Sequence, residues 1–309
     1  MRNAAAAAVL LAALVSGCAA PQVAGLLDRP PPELPASAEI SATPFFAQED
    51  YQCGPASLAA VMNHAGRQAT PAALVSQVYL PARQGSLQAE LLAATRRHAL
   101  VAYVLEPRLE ALLREIAAGS PVVVLQNLAL DWAPRWHYAV AIGYDLGTRQ
   151  IILRSGVTQR LAMSLDTFEH TWVRGDAWAM VALPPGRLPA TAAERPYLSS
   201  VAALERVHPA AAQQAYEAAL ARWPGSALAA LGLGNARYAQ HDLSGAATSY
   251  RRAARLAPAS ADAWNNLAQA LSELGRRDEA LEAARQAVAL GGPRLAAYRD
   301  TLEHLERTR

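Results

Sequence analysis

Apolar and polar positions fall into distinct regimes along the chain. Residues 4–15 form an unbroken apolar run of twelve residues, preceded by Arg2. A run this short suits the core of a signal peptide and does not span a bilayer. Residues 18–40 carry Pro21, Pro30, Pro31, Pro32 and Pro35 with few large apolar side chains, which predicts an extended tether. From 41 to 189 the pattern is mixed. Helical spacing predicts helices over 54–65, 71–78, 87–98 and 109–118, with Pro55 tolerated in a first turn. The period then changes. PVVVLQ (121–126), HYAVAIGY (137–144), the stretch 150–153 after the turn Asp145–Thr148, and 177–183 read as strands. Helices followed by an antiparallel sheet describe an α+β domain. Beyond residue 190 strand signals vanish and small residues recur at a spacing of 34: Ala212, Ala246 and Ala280; Ala219, Ala253 and Ala287; Tyr216, Tyr250 and Ala284; Pro224, Pro258 and Gly292.

That period, with alanines where paired helices approach closely, resembles the tetratricopeptide repeat. The better-formed units are 227–260 and 261–294; 193–226 reads as a degenerate leading unit and 293–309 as a capping helix. The resulting division is a signal peptide (1–17), a tether (18–40), an α+β domain (41–189) and an all-α repeat solenoid (190–309).

Composition narrows the partners. With 28 basic and 26 acidic residues the formal charge is +2, which gives no footprint for nucleic acid. The two cysteines, Cys18 and Cys53, are too few for a disulfide framework. Cys18 closes the sequence Val15-Ser16-Gly17-Cys18, which resembles the bacterial lipobox. That resemblance implies cleavage before Cys18 and its lipidation, hence attachment to a membrane at the bacterial cell envelope. Ala19 rather than an aspartate in the next position implies the outer membrane, facing the periplasm.

Cys53 is then the remaining thiol. A cysteine opening a helix directs its sulfur at unpaired amide N–H groups, where the helix dipole favours thiolate, and Gly54 beside it permits close approach of a substrate. Its surroundings, Gln48-Glu49-Asp50-Tyr51-Gln52-Cys53-Gly54-Pro55-Ala56, resemble those of the bacteriocin-processing, or double-glycine, peptidases and their wider papain-like relatives. In that family the nucleophile stands in a Gln…Cys-Gly-x-Ala stretch at a helix start, and a histidine opens a strand about 80 residues later. Here Gln48 lies five residues before Cys53, and His137 opens HYAVAIGYD 84 residues after it. The resemblance covers roughly residues 43–184. It implies an α+β papain-like cysteine peptidase domain ahead of the solenoid, with Cys53 as nucleophile, His137 as its base, and Gln48 completing an oxyanion hole with the Cys53 N–H. It implies no cofactor.

The family's third member, an aspartate on the strand after the histidine strand, has no counterpart in Ile151-Ile152-Leu153-Arg154-Ser155-Gly156. Asp145, eight residues along its strand, lies about 26 Å from His137. A hairpin turning at 145–148 instead places Ser155 near the histidine, and Asn127 at the end of the preceding strand is an alternative orienting residue. His64, His98, His170, His208 and His241 share no metal-ligand spacing, so no metal site is expected. The expected partners are a peptide or protein substrate, a protein partner bound through the repeats, and the membrane through Cys18. Two other readings fit the same residues: an amidase acting on peptidoglycan peptides, and a catalytically weak peptide-binding lipoprotein.

Overall fold

The computed structural model describes residues 20–48 and 52–307. The signal-peptide run and Cys18 lie outside the described residues, as do Glu49, Asp50 and Tyr51. The chain forms two compact units. One takes residues up to Ala94 together with Val104–Ala182 and Pro189–Thr191; the other takes Thr95–Tyr103, Leu183–Leu188 and Ala192–Arg309.

The elements run, in chain order, α1 (Pro21–Asp28), β1 (Ser37–Glu39), α2 (Cys53–His64), α3 (Pro71–Val78), β2 (Tyr79–Leu80), β3 (Gly85–Ser86), α4 (Gln88–Arg97), β4 (Val101–Val104), α5 (Leu109–Ala117), β5 (Val122–Asn127), β6 (Trp136–Asp145), β7 (Gln150–Ser155), β8 (Thr158–Ser164), α6 (Leu165–Val173) and β9 (Ala179–Leu183). Within the first unit β9, β5, β6, β7 and β8 pair in that order, with β1 also on β6. The pairings of β6 with β5, with β7 and with β1 are all antiparallel. β5 is buried along its whole length, as its continuous apolar run requires. The helix α2 is buried from Gly54 through Met62 and packs on β6 and β5. Small residues make that burial possible: a Cβ on Gly54 would come within 2.3 Å of Ser86 Oγ on β3.

Residues 20–40 correct the expectation of an extended tether over 18–40. Pro21 opens α1, whose Val23 and Leu26 are buried. The Glu169 carboxylate accepts the N–H groups of Gln22 at 3.0 Å and Val23 at 2.7 Å, so two donors left over at the helix start meet a buried anion. Ser37–Glu39 then pairs with Gly143–Asp145 as β1. Proline thus starts a short helix here rather than stiffening a linker. The strand β8 and the helix α6 also carried no signal in the pattern. β8 is an exposed outer strand with almost no buried position, and α6 follows it at once, capped by Ser164 Oγ, which accepts the Thr167 N–H.

The second unit continues with α7 (Glu194–Glu205), α8 (Pro209–Arg222), α9 (Ala227–Tyr238), α10 (Leu243–Leu256), α11 (Ala261–Glu273), α12 (Arg277–Leu290) and α13 (Leu295–Arg307). Ala212, Ala246, Ala280, Ala219, Ala253 and Ala287 are all buried. The repeating tyrosines explain two glycines. A Cβ at Gly232 would meet the Tyr216 ring at 2.3 Å, and one at Gly234 the Tyr250 ring at 2.4 Å. Ser226, Asp242 and Ser260 cap α9, α10 and α11 with side-chain oxygens.

Candidate active site

Cys53 is the first residue of α2, and His137 is the second residue of β6, against which α2 packs. Both line a cleft of about 1080 Å3 in the first unit, together with Gln48. The Gln48 backbone N–H donates to Gly156 O at 3.2 Å, which seats that residue against the β7–β8 turn.

Two opposing influences act on the thiol. Burial pushes the Cys53 pKa up, while the backbone N–H groups of Tyr138, Gly54 and Cys53 itself hydrogen-bond the sulfur and pull it down; burial prevails. His137 is pushed down to about 4, first by burial and then by the neighbouring Arg135 guanidinium. Both shifts favour the uncharged forms, thiol and imidazole.

His137 Nε2 lies 2.8 Å from Ser155 Oγ. The sheet explains the contact. Val140 pairs with Arg154, so continuing the register sets Ser155 opposite Ala139, on the face of β6 that His137 shares. Asn127 is not brought to the histidine. It pairs with Trp136, one residue out of phase, and its Oδ1 accepts the N–H groups of Ala129 at 3.1 Å and Arg135 at 2.9 Å, which ties the base of the loop before β6. Arg154 points away as well. Its guanidinium donates to the carbonyls of Ser41, Thr43 and Gln159 and so staples the segment after β1 to β7.

Several cleft residues were not singled out in the sequence. Trp136 and Val157 are exposed apolar walls, and Arg83, Arg135 and Asp176 bring charge. Asp176 and Ala177 both have positive φ, at +57° and +48°, in the turn after α6. Only the non-glycine positive φ could have drawn notice, and sequence does not display it. Among the described residues no group of three or more His, Cys, Asp or Glu side chains is placed to hold a metal. No helix among them is long and apolar enough to cross a membrane.

A thiol at the start of a buried helix, an imidazole on the strand beside it and an antiparallel sheet behind both define the papain-like class of α+β domain, here followed by a helical repeat array. The Peptidase_C39 like family model matches residues 40–174, and the models described as TPR repeat and Tetratricopeptide repeat match residues 234–275 and 261–291. Residues 40–174 are thus similar to C39-like peptidases, and 234–291 to tetratricopeptide repeats. Among solved structures, a protein described as a C39-like peptidase from Bacillus anthracis is 18% identical; the alignment covers 48% of this chain and 97% of that one, with a TM-score of 0.41. Two structures of MamA are each 20% identical with TM-scores of 0.32, covering 35% and 36% of this chain and 61% and 68% of theirs. No curated protein matches the chain.

Proposed function

We propose that the first unit is a cysteine peptidase acting on peptide bonds at the cell envelope. The observation that carries the reading is the placement of Cys53 at the head of α2 on one cleft with His137, whose ring is held by Ser155. Ser155 Oγ accepts a hydrogen bond from Nε2–H, which leaves Nδ1 as the basic nitrogen for the thiol. As the sulfur bonds to the carbonyl carbon, Nδ1 accepts the thiol proton. The oxyanion takes hydrogen bonds from the Cys53 N–H and Gln48. The imidazolium then protonates the leaving amine, and water resolves the thioester with His137 again as base. Gln48 and Cys53 are both cleft-lining, which this assignment requires.

A serine in the third position fixes the tautomer but supplies no charge for the imidazolium, so turnover is slower than with a carboxylate there. The depressed His137 and raised Cys53 also favour a second reading, a catalytically weak domain that holds peptides. Lipidation of Cys18 and attachment of the mature chain to the envelope membrane belong to the same proposal, as does a protein-binding role for the repeats.

A covalent thiol-directed probe on the intact protein, with Cys53→Ala as control, tests the enzyme. Labelling at Cys53 together with cleavage of a fluorogenic peptide that disappears in Cys53→Ala and in His137→Ala supports it. Labelling without cleavage of any peptide favours the binding reading, and cleavage that survives in Cys53→Ala places the chemistry elsewhere. For the anchor, Cys18→Ser is expected to move the protein from the membrane to the soluble fraction.

A further inference from the structure

Residues 18–40 looked like a spacer between a lipid anchor and the folded domain, and α1 removes the spacer. Ala20 is buried, and the next residue begins a helix docked on Glu169. Gln22 fixes the helix from a second side: its Oε1 accepts the Leu109 N–H at 2.6 Å and its Nε2 donates to Pro107 O at 3.4 Å. Glu169 is itself buried, so its carboxylate oxygens are satisfied by those helix-start donors. Between Cys18 and the buried Ala20 stands only Ala19, a span of about 7 Å at full extension. A fully extended 18–40 segment would have reached about 75 Å. The difference is an order of magnitude in standoff.

Resting on the lipidation of Cys18 proposed above, we propose that the peptidase domain is held directly against the bilayer, with the surface around the start of α1 facing the lipid. That surface includes the exposed Pro107 and Arg108 beside the Gln22 contacts. The occupant is a lipid headgroup layer, because an acylated chain leaving this face has no length in which to leave the membrane. A domain of this size is about 40 Å across, so the Cys53 cleft works within roughly that distance of the lipid. Its substrates are then membrane-proximal segments, the peptides of anchored proteins or of chains emerging at the surface. A tethered enzyme would instead sweep a deep shell of the periplasm.

The test uses the full lipidated chain in vesicles of phosphatidylethanolamine and phosphatidylglycerol, carrying Cys53→Ala and one donor dye at Arg108→Cys, with an acceptor in the lipid. Efficient transfer is expected in this parent. A flexible insert of about twenty Gly and Ser residues between Ala19 and Ala20, which adds roughly 25 Å of root-mean-square reach, is expected to cut transfer at least twofold with membrane partition unchanged. Glu169→Ala, which unpins α1, is expected to do the same; the insert stands as the control should that variant misfold. Equal transfer with and without the insert, both proteins remaining on the vesicles, overturns close apposition and leaves lipidation standing. A parent found in the soluble fraction overturns the lipidation itself, and the apposition falls with it.

Discussion

At the scale of single residues, the proposed chemistry turns on His137, whose uncharged form burial and Arg135 favour. The His137 pKa falls to about 4, below its ordinary value near 6.5. The unfolded chain therefore binds more protons than the folded one between those values, so stability rises with pH across that window and falls on acidification. Urea midpoints at pH 4.5 and 7 are expected to differ less in His137→Gln than in the wild type; an unchanged difference refutes the assignment. Ser155→Asp restores a carboxylate beside Nε2, which raises the His137 pKa and stabilises imidazolium. We expect peptide turnover about tenfold faster or more and thiol alkylation that begins at lower pH, because a thiolate–imidazolium pair becomes accessible. Ser155→Ala is expected to slow turnover, while Asn127→Ala alters stability and leaves the pH profile in place, since Asn127 braces a loop. Equal profiles in Ser155→Asp and wild type would sink the orienting role. Spacing marked Cys53 and His137, which line one cleft, and counting back along a hairpin marked Ser155, which meets His137 Nε2. Sequence misled at Asn127 because a one-residue phase difference in a strand decides which face a side chain takes, and only the observed register fixes that phase. Arg135 and Asp176 were illegible because loops, not periodic elements, carry them to the cleft.

At the scale of elements, long periodic segments read well and short or exposed ones did not. The helices α2 and α5 and the strands β5, β6 and β7 stand within a few residues of their expected bounds, since each buries a continuous face that its sequence must encode. α1 buries only Val23 and Leu26, and β8 is nearly all exposed, so neither needed an apolar pattern to form. α1 is held by Glu169, distant in sequence, and β8 by main-chain pairing with the adjacent β7 across a tight hairpin. Close packing at two glycines yields a further expectation. Gly54→Ala drives a methyl group toward Ser86 Oγ at the head of α2, and Gly232→Ala drives one into the Tyr216 ring. Each is expected to lower stability by about 1–3 kcal/mol. Gly232→Ala should leave thiol labelling at Cys53 intact, whereas Gly54→Ala should reduce both, and calorimetry with probe labelling separates the two. A Gly232→Ala protein that melts like the wild type shows that the tyrosine shifts at no cost.

At the scale of the whole molecule, the repeat register predicts a block that folds by itself, and the structure adds a dependence the register does not contain. The second compact unit includes Thr95–Tyr103 as well as the helices from Ala192 onward. The Tyr103 hydroxyl oxygen accepts the Ala193 N–H at 3.3 Å, and the Tyr103 ring lies 6.4 Å from that of Tyr197. Tyr197 is fully buried in α7 and also meets Trp223 at 5.9 Å. Residues 190–309 expressed alone therefore keep α9 to α13, whose buried alanines and tyrosines lie within the fragment, but lose the Tyr103 partner of α7. Repeat arrays are stabilised mainly between neighbours, so loss at one end propagates weakly. The fragment is expected to give a helical circular dichroism spectrum, with amide exchange in α7 faster than in the full chain and protection in α11 and α12 close to it. The full chain carrying Tyr103→Ala should show matching exchange in α7. A spectrum without helix refutes the autonomous solenoid, and undiminished protection of α7 in the fragment shows that Tyr103 contributes nothing to its first helix.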